Sequence, residues 1–211
     1  MEILNTSLLA VAAFGLGSVP FSLLVGRWLM SKDIREYGDG NPGAANVFRA
    51  GGGKAGYLAV FLDVAKGVPF VFLAHSLFGL SNLAMVAVGI SAILGHAFSP
   101  FLRWHGGKAV AVTFGVLLAL PQYEVLLVFI ACVVLGALFI EVDAWTVVFG
   151  AGGSLAYLAV TRGSSWEVLL MLCILALFAV KHFDDLHAFP GFRGRLLRWV
   201  QSIMRGTLSI I

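Results

Sequence analysis

LLAVAAFGLGSVPFSLLVGRWLM, residues 8–30, carries one charged side chain, Arg27. Wound as a helix at 1.5 Å per residue it spans roughly 35 Å, enough to cross a hydrocarbon core of about 30 Å. No basic stretch precedes it, so it reads as a retained helix and not as a cleaved leader. The rest of the chain has the same character. Of 211 residues, 60% are hydrophobic and 12% charged, about half the charge of an ordinary soluble domain. The mean hydropathy is +0.95, and the polar residues are clumped between long apolar runs. These features imply an all-α integral membrane protein forming one polytopic domain over residues 1–211, with no room for a soluble domain. The net charge of +3 is modest and gives no reason to expect a nucleic-acid partner or an obligate protein partner. Cys132 and Cys173 lie inside apolar segments and read as small hydrophobes.

Outward from residues 8–30, apolar runs define seven spans at about 7–30, 55–78, 80–98, 109–120, 122–140, 144–160 and 166–181. The fourth is a short half-helix that stops at Pro121. Basic residues then set the orientation. Lys32, Arg35, Arg49 and Lys54 fall in one loop, Arg103 and Lys108 in another, and Arg193, Arg195, Arg198 and Arg205 in the tail, all on one side. The other side has Arg162. An excess of Lys and Arg marks the cytoplasmic side, so the N-terminus is expected outside and the C-terminus inside. The tail, about 190–206, alternates basic and apolar residues at helical spacing. It is expected to lie along an anionic membrane surface as an amphipathic helix.

Span one ends at a stretch of opposite character, Gly38-Asp39-Gly40-Asn41-Pro42-Gly43-Ala44-Ala45-Asn46-Val47-Phe48-Arg49. Its glycines and asparagines tolerate left-handed backbone and Pro42 lacks an N–H, so a regular helix cannot run through it. Exposed backbone amides, with Arg49 one turn into a short helix, make it a candidate phosphate cradle. A plain connecting loop is the alternative. A second glycine-rich loop weakens that alternative. Gly106-Gly107-Lys108 opens span four, with two glycines where backbone can approach a ligand and a lysine as a point charge for phosphate. It lacks the wider pattern of a P-loop, and could instead be a positive-inside anchor. The orientation brings both loops to the cytoplasmic face, together with Glu141–Asp143 and His182.

His96, at the end of span three, could orient a loop, shuttle a proton or simply bond a carbonyl. His182, beside Asp184 and Asp185, could bind a polyol hydroxyl, move a proton or contact headgroups. Asp63 and Lys66 share a helix face inside span two, where mutual pairing accounts for both. Arg27 is expected to snorkel or to pair with Glu36. No Ser-His-Asp order, GxSxG, metal-ligand spacing or GxGxxG occurs, so neither an acyl-enzyme, a metal nor a cofactor is expected.

The stretch GDGNPGAANVFR (residues 38–49) resembles the first motif of the bacterial acylphosphate-dependent glycerol-3-phosphate acyltransferases. That motif reads glycine, serine, glycine, asparagine, any residue, glycine, alanine, threonine, asparagine, two variable residues, arginine. Gly95-His96 through Pro100 and Gly106-Gly107-Lys108-Ala109-Val110-Ala111 are similar to the second. Gly17-Ser18 with Pro20-Phe21, and Asp63 with Lys66-Gly67, also fall where that family has like residues. The resemblance implies a multi-pass enzyme of the bacterial cytoplasmic membrane. Such enzymes pass a fatty acyl group from acyl phosphate to glycerol 3-phosphate and make lysophosphatidic acid for phospholipid synthesis.

The resemblance also assigns roles. Lys108, Arg49, His182 and His96 become candidate catalytic residues. Asp39, Gly40, Asn41, Gly43, Asn46, Gly106, Gly107 and Asp185 become candidate phosphate or substrate contacts. His182 would meet the acceptor, and His96 and Asp39 are candidate bases. Three carboxylates depart from the pattern. Asp39 replaces the serine, and Asp143 falls where a tyrosine and serines are usual. Asp185 takes an asparagine position in Lys181-His182-Phe183-Asp184-Asp185. A carboxylate beside phosphate repels it unless protonated or paired with a cation. An acceptor-altered or silent relative acting as a scaffold, and an anion transporter, are therefore the alternative readings.

Overall fold

The computed structural model describes residues 1–163, 165–191 and 194. Nearly all of the tail expected at about 190–206 lies outside them. The regular elements described are helical. In chain order they are α1 (Glu2–Ser18), α2 (Phe21–Met30), α3 (Ala44–Arg49), α4 (Gly53–Ala65), α5 (Pro69–Ser76), α6 (Asn82–Ala97), α7 (Val110–Leu118), α8 (Tyr123–Phe139), α9 (Asp143–Arg162) and α10 (Trp166–Lys181). Short 3-10 turns cover Ile34–Glu36, Pro100–Leu102 and Asp185–His187.

The last five expected spans each coincide with one helix, α6 to α10. The first two are each a pair of helices set end to end. Four segments are long and apolar enough to cross a bilayer: Glu2–Met30, Gly53–Ser76, Asn82–Leu102 and Asp143–Arg162. α8 and α10 are shorter, at 17 and 16 residues. α7 has 9 residues, about half a bilayer core in length.

Both breaks have a covalent cause. Val19 precedes a proline and is extended (φ −62°, ψ 121°), as the steric demand of the Pro20 ring requires. Pro20 (φ −85°, ψ 67°) forms a tight three-residue turn in which the Phe21 amide donates to the Val19 carbonyl at 3.0 Å. The second break, Lys66–Val68, runs into Pro69 at the first position of α5, where a missing N–H costs nothing.

A break inside an apolar bundle exposes carbonyls that need donors. The Ser99 hydroxyl donates to the Ser18 carbonyl at 2.6 Å, and Lys66 Nζ donates to that of Val19 at 2.8 Å. Lys66 also pairs with Asp63 at 2.8 Å, the two side chains being 1% and 2% exposed. The expected pairing is therefore present. The Ser22 hydroxyl donates to Asp63 as well, so one buried ion pair joins the two breaks. Arg27, by contrast, pairs with Asp33 at 2.9 Å and not with Glu36. Asp33 lies at the start of the turn that follows α2, and caps it by accepting from the Arg35 amide.

α1 packs along α6, α8 along α9, and α9 along α10. The α1–α6 crossing brings backbone onto backbone. A Cβ at Gly17 would land on the Ala92 carbonyl oxygen, and one at Gly95 on that of Phe14. This is the close approach that small residues permit between helices in lipid. The main core includes Ile93, Leu117, Phe129, Leu170, Ile174 and Phe178. A second, smaller core of Leu23, Val25, Ile34, Val47 and Ala59 sits beneath the loop that carries residues 38–49.

Candidate active site

The polar loop folds around Asn46, which is buried on α3. Its Nδ2 donates to Asp39 Oδ1 and to the Asn41 carbonyl, both at 2.9 Å. Its Oδ1 accepts from Arg49 Nη1 at 2.8 Å. Gly38 (φ +58°) makes this closure possible, because a Cβ there would strike Asn46 Oδ1 and the Arg49 side chain.

Opposite stands Lys108. Its loop is pinned from behind: the Gly107 amide donates to the His96 carbonyl at 3.0 Å. Lys181 Nζ donates to the carbonyls of Ala97 at 2.9 Å and Gly106 at 3.3 Å. A Cβ at Gly106 would collide with the His96 carbonyl, and one at Gly107 with the His96 ring. The two glycines thus serve packing against α6, and neither lines the cavity. Ala109, next in the chain, holds φ +66°, a left-handed conformation that costs about 1 kcal/mol or more in a residue with a Cβ. It starts α7 directly behind Lys108.

The chain after α10 crosses the cavity rim as a strap. Asp185 Oδ2 accepts from Lys108 Nζ at 2.5 Å. Trp145 Nε1 donates to the Ala188 carbonyl at 2.8 Å, and the Glu141 amide to that of Gly191 at 2.8 Å. Lys108 Nζ meets Asp39 Oδ2 on its other side at 2.6 Å. Burial alone would raise the Asp39 pKa, but the Lys108 ammonium outweighs it and holds the carboxyl down to about 2. Burial works against the charge on Lys108 too, and its two carboxylate partners overcome this and raise its pKa. Asp39 is therefore the cation-paired carboxylate that a phosphate site can tolerate.

His182, 4% exposed, lines the same cavity. Neither of its ring nitrogens has a hydrogen-bond partner among the described residues, and Asp185 stays at 3.8 Å. Burial, with help from the Lys108 charge, lowers its pKa to about 4, so the ring is neutral at pH 7 and can donate from one nitrogen and accept at the other.

These groups surround a cavity of about 560 Å³. Its polar end holds Asp39, Asn41, Asn46, Arg49, Lys108, His182 and Asp185, and Gly43 lines it too. Its apolar wall is built by Val60, Val64, Val110, Phe114 and Val147. His96 borders it as well, with Nδ1 3.8 Å from Asp63. Of the candidate catalytic and substrate-contact residues read from the sequence, Gly40, Gly106 and Gly107 stand off the cavity. Asp143, the third added carboxylate, is at its edge. Asp63 and the tie made by Lys181 went unforeseen in the site. Lys181 had one signal, its place directly before His182. The arrangement offers two cations and an unsatisfied neutral imidazole at one end of a cavity with a greasy wall, which suits an anionic headgroup joined to a hydrocarbon chain.

Comparison with known proteins gives the same answer. Residues 7–189 match the glycerol-3-phosphate acyltransferase family model. A glycerol-3-phosphate acyltransferase of Listeria welshimeri is 33% identical over 204 residues, covering 93% of this chain and 99% of the relative. One from Aromatoleum aromaticum is 39% identical over 172 residues, covering 76% and 87%. The crystal structure of PlsY (YgiH), an integral membrane glycerol 3-phosphate acyltransferase, in its glycerol 3-phosphate form superposes with a TM-score of 0.78 at 28% identity, covering 86% of this chain and 90% of that one. The lysophosphatidic acid form superposes with a TM-score of 0.77. The chain belongs to the glycerol-3-phosphate acyltransferase family.

Proposed function

We propose that this protein transfers a fatty acyl group from acyl phosphate to glycerol 3-phosphate and releases lysophosphatidic acid and inorganic phosphate. The observation that carries the reading is the two-ended cavity, with Lys108, Arg49 and an unpartnered His182 at the polar end and valines and Phe114 along the wall. Lys108 and Arg49 hold phosphate oxygens, His182 meets the acceptor, and the apolar wall takes the acyl chain. The acceptor hydroxyl oxygen attacks the acyl carbonyl carbon and the new C–O ester bond forms. The bond to the phosphate oxygen breaks and phosphate leaves with that electron pair. The hydroxyl proton passes to the departing phosphate. Asp39 is a poor base because Lys108 holds it ionised at low pH, and the His96 ring is covered by Gly107. The donor is already activated, so positioning and charge neutralisation account for the catalysis.

The same reading sets the topology: seven crossings, the N-terminus outside and the cavity at the cytoplasmic face. The Lys and Arg residues of the two loops that reach the cavity, Lys32, Arg35, Arg49, Lys54, Arg103 and Lys108, support it. The test is an assay of purified protein in lipid cubic phase or detergent, with palmitoyl phosphate and labelled glycerol 3-phosphate, and palmitoyl coenzyme A as rival donor. Lysophosphatidic acid should form from the acyl phosphate and fall by about a hundredfold or more in Lys108→Ala. No product from either donor in folded protein would overturn the reading and leave a silent relative.

A further inference from the structure

We propose that Asp39 and Asp185 are built-in competitors for the phosphate seat at Lys108, and that they set how tightly this protein holds a phosphate ester. The inference rests on the acyl-transfer reading for its substrate and on geometry for the rest. In the structure the Lys108 ammonium already has two carboxylate ligands, Asp39 Oδ2 at 2.6 Å and Asp185 Oδ2 at 2.5 Å. Arg49 Nη1, the other cation at the polar end, points at Asp39 Oδ1 at 3.4 Å. Both cations of the polar end therefore face carboxylates before any substrate enters, and His182 adds no charge at neutral pH.

A phosphate oxygen can accept a hydrogen bond from Lys108 only by displacing a carboxylate or by settling beside one. Each carboxylate costs phosphate an attractive partner and adds a repulsive one. Neither is sealed in place. Lys108 is 26% exposed, Asp39 32% and Asp185 38%, so a displaced carboxylate returns to water. Asp185 is the easier to displace. It sits on the strap, and among the described residues its side chain has one hydrogen-bond partner, Lys108. Asp39 is also held by the Asn46 side chain and its own loop amide at Asn41. The order of release follows: the Asp185 side chain swings away first, while the strap stays tied at Ala188 by Trp145.

The experiment measures binding of inorganic phosphate by calorimetry in detergent and, separately, the KM for glycerol 3-phosphate. The proteins are the wild type, Asp185→Asn, Asp185→Ser and Asp39→Asn, each with its melting temperature. Asp185→Asn should tighten phosphate binding and lower KM by about tenfold, with the change larger in KM than in kcat. Asp39→Asn should move both the same way by less. Asp185→Ser guards against an effect peculiar to the amide and should match Asp185→Asn. Unchanged or weaker phosphate binding in the Asp185 variants at wild-type melting temperature overturns the proposal, as does no measurable binding by any of the proteins. Phosphate binding that tightens in protein that transfers no acyl group would sustain the competition while removing the acyl-transfer reading.

Discussion

Lys66 and Lys108 have the same chemistry around them and opposite fates. Each ammonium bonds a carboxylate at 2.5–2.8 Å, and each ties together segments far apart in the chain. Lys66 is 1% exposed and joins two helix breaks in the apolar interior. Its second ligand is a backbone carbonyl, which cannot leave. Lys108 is a quarter exposed, and all its ligands are side chains that water can take back. Burial, and not the ion pair itself, decides which lysine is structure and which is a site. In a low dielectric, removing one partner strands a charge, while at a wet surface the other partner is resolvated.

The strongest way to break that comparison is Lys66→Met. It leaves Asp63 buried without its cation and the Val19 carbonyl without that donor, so the expected loss is about 3–5 kcal/mol, read as a large fall in melting temperature in detergent. Lys108→Met should cost no more than about 1 kcal/mol, read as a small shift of the same melting temperature, while removing acyl transfer. Equal shifts in the two variants would erase the distinction. A smaller effect tests what holds Lys108 in place. Gly107→Ala puts a methyl group into the His96 ring and should cost about 1–3 kcal/mol. It should also lower acyl transfer, because it moves the loop and not the charge.

The smallest effect is in pH. The native His182 titrates near 4 and its ordinary value is 6.5. Between these pH values the unfolded chain holds a proton that the native one does not, so stability rises with pH through this window and is lost as pH falls from about 6.5 to about 4. His182→Gln should flatten that part of the melting curve. Asp39, held down to about 2, acts in a separate window. Its contribution is complete above its ordinary 3.8 and is lost below it. A slope between pH 4 and 6.5 that survives His182→Gln would assign the effect elsewhere.

The helices were legible because hydropathy is a local property, and α6 to α10 start and stop close to where the apolar runs do. The breaks at Val19–Pro20 and Lys66–Val68 were not, since each lies within an apolar run long enough to read as one span, although Pro20 and Pro69 mark them. What makes them affordable is a Ser99 hydroxyl and a Lys66 ammonium supplied from distant parts of the chain. In the site, Arg49, Lys108 and His182 were readable as chemistry looking for an anion. The pairing of Asp39 and Asp185 through Lys108 was not, because it joins residues 69 and 77 positions away. Gly106 and Gly107 show a different limit. A pair of glycines before a lysine looks the same whether the neighbour is a ligand or, as here, the end of a helix.

The crossing of α1 and α6 has a consequence for how this sequence can vary. At Gly17 and Gly95 each backbone occupies the space a methyl group would need on the other, so the usable alphabet at both positions is one letter. The outward side of α1, with Leu4, Leu8 and Val11 exposed, asks only for oiliness and accepts many letters. A saturation library scored for folding should therefore show Leu4, Leu8 and Val11 as nearly blank positions and Gly17 as a silent mark. A matching mark at Gly95 would reveal which two helices touch without any coordinates.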